Sequence, residues 1–152
     1  MFDRIDLTVE TPSVTAADMA LPPPAEGTAE ASARVMAARA MQEDRLRAAG
    51  IDPDIARDQA VNARASGETL DRFAVPDEAG RALLMRAGQA GGLTARSWTR
   101  TLRLARTIAD LDGCDGVLRR HIAEALVYRR STVGAQGDFE RQADVRPEAR
   151  AF

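Results

Sequence analysis

Residues 92–130, GLTARSWTRTLRLARTIADLDGCDGVLRRHIAEALVYRR, are the stretch whose reading decides the fold. Gly91 and Gly92 stop whatever precedes, Thr94 is placed to cap the orphan amides of a new helix, and no glycine or proline follows until Gly113. At about 100° per residue, Trp98, Thr101, Leu102, Leu104, Ala105, Ile108, Ala109 and Leu111 fall on one broad arc, which predicts the packed face. Arg96, Arg100 and Arg103 fall together on the opposite side, near the positive end of the helix dipole. Such a row is either solvated surface or a binding row for an anion. After the turn around Gly113 and Gly116, Leu118, Ile122, Ala125 and Leu126 recur at helical spacing and predict a second helix.

Working backwards, Pro76 is expected at the first position of a helix that carries Asp77 and Glu78 in its first turn and ends at Gly91. Ala79, Leu83, Leu84 and Ala87 would form its packing face. Ser66 would cap a brief helical turn containing Leu70 and Phe73, and Asp52-Pro53 would start a short helix to about Ala60. A helix rich in alanine and arginine opens at Thr28 and runs to about Ala49, with Gly50 as its stop. Its apolar stripe is weak: Ala31, Val35, Ala38, Met41 and Leu46. Arg34, Arg39, Arg45 and Arg47 share no narrow line and read as solvated surface.

At the other end, Ile5, Leu7 and Val9 alternate with Asp6, Thr8 and Glu10, the pattern of a half-buried strand with no partner strand in this chain. Pro12 and the triplet Pro22-Pro23-Pro24 then exclude helix and predict a connector. Residues 131–152 are rich in Gly, Asp, Glu and Arg, carry few large apolar side chains and are expected to be a disordered tail. The fold class is therefore mainly α, a small helical bundle preceded by one short β-strand and a Pro-rich connector. The divisions are 1–12 for the strand, 13–27 for the linker, 28–130 for the helical domain and 131–152 for the tail.

The composition narrows the chemistry. Hydrophobic residues make up 45% of the chain but only 4% are aromatic, so Leu, Ile, Val and Met must fill the core while alanine lets helices approach. A net charge of −2 argues against binding nucleic acid by bulk charge. Cys114 is the single cysteine and reads as a turn residue in a reducing compartment. His121, the single histidine, has no Ser, Cys or Asp at a spacing that would make it a catalytic base, and reads as surface or a satisfied bundle residue. No basic leader and no apolar run near 18 residues is present, so a cytoplasmic location and no membrane partner are expected.

The wording of the sequence adds a resemblance. ARTIADLDG, followed at two-helix spacing by HIAEALVYR, resembles the C-terminal end of the Mg-chelatase-like AAA+ ATPases, in particular the ComM/YifB-like competence group. FDRIDLTVE at residues 2–10 resembles the segment that leaves the ATPase core in that family, and Asn62-Ala63-Arg64 with the helices to Ala90 resembles the next part of its lid. The resemblance implies an AAA+ lid lying over a nucleotide held by a P-loop core. Arg96 stands where the family carries its sensor-2 arginine, which reaches the ATP phosphates, with Arg100 beside it. Arg4 stands where related ring ATPases place an arginine finger that acts in the neighbouring subunit.

The departure from the family is equally specific. All 21 basic residues are arginine, so the chain carries no GxxxxGK[ST] and has no lysine to set on the β- and γ-phosphates. ATP and Mg are thus expected only alongside a P-loop core supplied from elsewhere, and the chain alone is not expected to hydrolyse ATP. The implied partners are that core or neighbouring subunits of a ring, with DNA reached through the assembly during competence-type branch migration. Two alternatives stand beside this reading. One is a stand-alone helical module that binds nucleic acid or protein through the Arg96 row. The other is an inactive remnant of a truncated gene, since Met1 falls where the family usually has an internal apolar residue.

Overall fold

The computed structural model describes residues 6–9, 11–22, 26–90 and 93–129, so Arg4 and the tail expected from residue 131 lie outside the described residues. Among the described residues the chain forms six α-helices and one short 3₁₀ turn. They are α1 (Thr28–Ala48), α2 (Pro53–Asp58), α3 (Gly67–Phe73), α4 (Glu78–Gln89), α5 (Ala95–Leu111) and α6 (Arg119–Tyr128).

Local chemistry sets most of these boundaries. The amide of Gly27 donates to Oε2 of Glu30 at 2.9 Å at the start of α1, and the helix stops at Gly50, whose φ of +64° disfavours any residue with a Cβ. Asp52 caps α2 by accepting from the Asp54 amide at 2.9 Å, and Pro53 takes the first helical position, where its missing N–H costs nothing. Ser66 holds the position before α3, but its hydroxyl accepts no capping bond. Thr94 caps α5 as its sequence predicts, accepting from the Ser97 amide at 3.1 Å.

Two details differ from the sequence expectation. Helix α4 begins at Glu78 and not at Pro76: Asp77 is the cap, its carboxylate accepting from Gly80 N at 2.7 Å. Pro76 instead forms an isolated parallel bridge with Val117, in which the Asp77 amide donates to the Val117 carbonyl at 2.8 Å. The expected N-terminal strand has no ladder among residues 6–9. Its Thr8 amide donates to the Tyr128 carbonyl at 2.9 Å at the end of α6, and Leu7 and Val9 are exposed. The alternation is present, but no neighbouring strand lies among the described residues to receive it.

Helix α5 is the central strut. It packs against α6, α1 and α3, while α4 packs on α6. The main core joins Leu83 and Leu84 of α4, Ala105, Ile108 and Ala109 of α5, Val117, and Ile122 and Ala125 of α6. Three alanines in that set allow close helix approach. Gly80 does the same for α4 and α6: a Cβ there would stand 3.2 Å from Ile122 Cγ1 and 3.3 Å from the Arg119 Cα. A second, smaller cluster of Ala65, Leu70 and Ala74 lies on another side of α5, and Leu102 packs against both clusters.

Candidate functional site

The arginine row of α5 is one line in the sequence but three different environments in the structure. Arg96, in the first turn, is exposed, and among the described residues its guanidinium has no hydrogen-bond or ion-pair partner. Arg100, one turn on, is half-buried and forms an ion pair with the Asp6 carboxylate at 3.0 Å. Arg103 donates from Nε to the Ala65 carbonyl at 2.7 Å and so fastens the loop before α3 to α5. The three arginines share a side of the helix as their spacing predicts, yet two of the three already hold groups of their own chain.

The Thr94 cap fixes the direction of this helix end. Behind it, Ser97 is buried, Arg129 Nη2 donates to Ser97 Oγ at 2.9 Å, and Thr101 Oγ1 donates to the Ser97 carbonyl at 2.9 Å. The first turn is thus held to the end of α6 while Arg96 points away from the packed side. A guanidinium fork in the first turn of a dipole-positive helix end suits an anion that accepts two hydrogen bonds, such as phosphate or carboxylate. No group of three or more His, Cys, Asp or Glu side chains able to hold a metal occurs among the described residues. The donor set here fits a phosphate oxygen and does not supply magnesium ligands.

About 20 Å along α5, by helix rise, lies a polar cluster that includes Arg45, which is not the solvated surface residue its sequence suggests but a partner of buried Asp110. Arg106 and Asp110 are both 2% exposed. Arg106 Nη2 and Asp110 Oδ1 pair at 2.9 Å, and Arg45 of α1 forms a second ion pair with the same carboxylate. Asp110 Oδ2 also accepts from Asn62 Nδ2 at 2.6 Å and from Gln42 Nε2 at 3.2 Å. Arg106 spends its remaining donors on the carbonyls of Cys114, Asp115 and Phe73, at 2.5, 2.6 and 3.4 Å. Burial pulls the Arg106 pKa below the usual arginine value, and the Asp110 charge works against that. Through these bonds the cluster joins α1, the Asn62 loop, α5 and the Cys114 turn. Its chemistry is structural.

His121 is a buried bundle residue, one of whose ring nitrogens makes no hydrogen bond. It is fully buried, its Nδ1 accepts from the Leu118 amide at 3.0 Å, and its Nε2 lies 3.3 Å from the Asp112 carboxylate. The first contact closes the N-terminus of α6 as a capping-box side chain would. Burial, then the Arg120 charge, lowers its pKa from the ordinary histidine value, against the opposing pull of Asp112. Cys114 is half-buried in the turn, with Arg120 Nη2 3.0 Å from its sulfur. No helix of the described residues is long and apolar enough to cross a membrane.

The helical region that carries these features, from just before α1 to the end of α6, coincides with the match to one family model: magnesium chelatase, subunit ChlI C-terminal, over residues 25–129. The chain belongs to this family. Curated relatives agree with it. The chain is 32% identical over 136 residues to the uncharacterized protein YifB of Salmonella typhimurium and equally to that of Escherichia coli, each match covering 84% of this chain. It is 30% identical over 128 residues to the competence protein ComM of Haemophilus influenzae. The chain spans 23% of the length of each of these relatives. Within the magnesium chelatase C-terminal fold, the residues that carried the resemblance divide into two sets. Asn62, Arg106 and Asp110 form the buried cluster, and Arg96 faces outward.

Proposed function

We propose that this domain is the lid of a Mg-chelatase-like AAA+ assembly, in which Arg96 senses the nucleotide held by a P-loop core and lid movement is passed to neighbouring subunits of a ring. The observation that carries this reading is the placement of Arg96, exposed in the first turn of α5 and uncommitted among the described residues. In the proposal ATP and magnesium are bound by the core, and magnesium there offsets phosphate charge. This chain contributes guanidinium groups that strengthen as charge develops on the γ-phosphate. Arg96 contacts the phosphate directly. Arg100 stands one turn behind it and joins only when its pair with Asp6 opens. Arg4 is assigned to the neighbouring subunit's site as a trans finger. Because one relative is a competence protein, the proposal extends to the intact assembly as an ATP-driven remodeller of DNA in branch migration.

The test compares two arginines of the same row in an assembly reconstituted with a P-loop core of the family. Arg96→Ala is expected to reduce ATP turnover by roughly 10³-fold, the lower range for an arginine acting on the transferred phosphoryl, with unchanged thermal unfolding of the lid. Arg103→Ala is expected to lower the unfolding midpoint through loss of its bond to the Ala65 carbonyl and to retain most of the turnover. Unchanged turnover in Arg96→Ala overturns the assignment.

A further inference from the structure

We propose that Asp6 is an internal competitor for the arginine row of α5: its carboxylate holds Arg100 until a phosphate-bearing anion takes its place, and the exchange releases residues 6–9 from α5 and α6. The inference rests on the reading of Arg96 and Arg100 as an anion site and adds how that site is gated. Asp6 and Arg100 are unequal partners. The Arg100 side chain is 19% exposed and the Asp6 side chain 69%, so the guanidinium belongs to the body of the domain and the carboxylate comes to it from outside. Arg100 Nη1 lies 3.0 Å from Asp6 Oδ1, yet it is buried and makes no hydrogen bond. The pair therefore supplies charge without a directed bond, and a buried donor left in that state is costly. An anion with several oxygen acceptors supplies both the charge and the bond. Asp6 lies against Nη1 from the solvent side, so its departure opens that atom to such an anion.

The segment that carries Asp6 is lightly held. The Asp6–Arg100 pair ties it to α5, and the Thr8 amide, donating to the Tyr128 carbonyl at 2.9 Å, ties it to the end of α6. Leu7 and Val9 are exposed, so neither anchors the segment by burial in a core. An ion pair with so exposed a partner contributes little stability. The end of α5, by contrast, does not depend on residues 6–9. Thr94 Oγ1 accepts from the Ser97 amide, and Ser97 Oγ accepts from Arg129 Nη2. The segment can therefore leave while the arginine row keeps its place.

Arg96 and Arg100 stand four residues apart, about 6 Å along the axis, and are neighbours on one face of the helix. Arg96 is exposed and uncommitted among the described residues, so it makes the first contact. Arg100 makes the second once Asp6 is displaced. Arg103 takes no part, because its Nε is engaged by the Ala65 carbonyl. The ligand chemistry that fits two guanidinium groups at this spacing is a diphosphate, in which each phosphoryl group offers acceptors to one arginine. Linkage fixes the sign of the coupling. An anion that binds at the expense of the Asp6 pair loosens residues 6–9, and whatever holds residues 6–9 in place weakens anion binding by the same factor.

The experiment is an NMR titration of the full 152-residue chain with inorganic pyrophosphate at fixed ionic strength. Amide shifts in the first turn of α5 report binding, and solvent exchange of the Thr8 amide reports release of the segment. In wild-type chain pyrophosphate is expected to speed Thr8 exchange by about two- to fivefold, the range open to an exposed ion pair. Asp6→Asn keeps the side-chain size and removes the charge. It is expected to tighten pyrophosphate binding by about the same factor and to speed Thr8 exchange before any pyrophosphate is added. Loss of a nearby negative charge raises anion affinity by itself, so the exchange rate is the deciding readout. In Arg100→Gln, pyrophosphate is expected to bind more weakly, through Arg96, and to leave Thr8 exchange unchanged. Wild-type Thr8 exchange that stays constant at saturating pyrophosphate, an Asp6→Asn chain with wild-type affinity, or an Asp6→Asn chain that binds no pyrophosphate overturns the proposal. These results concern the gate; the nucleotide reading stands or falls separately on ATP turnover of Arg96→Ala in the reconstituted assembly.

Discussion

At the scale of single residues, the charges that hold this domain together are not those that face solvent. Asp110 is a buried carboxylate facing two guanidinium groups and two amide donors. Removing its charge leaves Arg106 buried without a counter-ion, which is the costly case, whereas the intact pair itself contributes little net stability. Asp110→Asn is therefore expected to lower unfolding stability by about 3–5 kcal/mol, measured by urea titration; a loss under about 1 kcal/mol would show that the remaining carbonyl partners of Arg106 suffice. His121 gives a second prediction, in pH. Its pKa is lowered in the fold from the ordinary value near 6.5, so as pH falls through that value the unfolded chain takes a proton that the folded chain refuses. By linkage, stability is complete above pH 6.5 and declines below it until the folded pKa is reached. His121→Gln keeps an acceptor at the third helical position for the Leu118 amide and removes the titration. Its stability is expected to fall less than wild type between about pH 7 and pH 5, and an unchanged slope would exclude His121 as the cause.

At the scale of elements, α5 shows how far sequence carries and where it stops. The Thr94 cap, the Ala105–Ile108–Ala109 face and the outward Arg96 follow from local chemistry and the helical period, and all are present. By its period Leu111 belongs to the packed arc, yet it is exposed, while Arg106 and Asp110 are buried. The reason is that α5 packs on two sides. A period detects one apolar arc, and the second side is covered by α1 and the Asn62 loop through polar groups that carry no hydrophobic signal. The only sign of it in the sequence is an Arg–Asp pair four residues apart inside an apolar run. The partners of Arg100 and Arg103, Asp6 and Ala65, are equally out of reach of a periodic reading because they come from distant segments. Helix contact itself makes a prediction. At Gly80 a Cβ would meet the Asp77 cap at 2.7 Å as well as Ile122 and the Arg119 backbone, whereas at Gly88 it would meet only the Trp98 ring at 3.6 Å. Gly80→Val is expected to destabilise by about 2–3 kcal/mol through overpacking, and Gly88→Ala to stabilise by up to about 1 kcal/mol through helix propensity. Thermal unfolding of the two variants checks both signs; equal effects would mean that α4 and α6 are not in close contact at Gly80.

At the scale of the whole molecule, the domain is two small cores sharing one strut. The cluster around Leu84, Ile108 and Ile122 and the cluster around Leu70 and Ala74 lie on different sides of α5. Leu102 is the apolar side chain that packs against both, and the Asp110 cluster is the polar connection between α1 and α5. Neither core is large, so cooperativity depends on these links more than on the size of either part. Wild-type chain is therefore expected to unfold with coincident midpoints by Trp98 fluorescence, which reports the larger core, and by far-UV helix signal, which also includes α1 and α3. Leu102→Ala removes contacts on both sides and is expected to cost about 2 kcal/mol, the low end for a buried leucine because Leu102 is only half-buried. Its more specific effect is on coupling. The helix signal from α1 and α3 should melt first while the Trp98 signal persists, so the two midpoints separate. If they remain coincident in Leu102→Ala but separate in Asp110→Asn, the polar cluster alone unites the domain, and movement of α1 relative to α5 would then depend on breaking buried ion pairs and not on sliding an apolar contact.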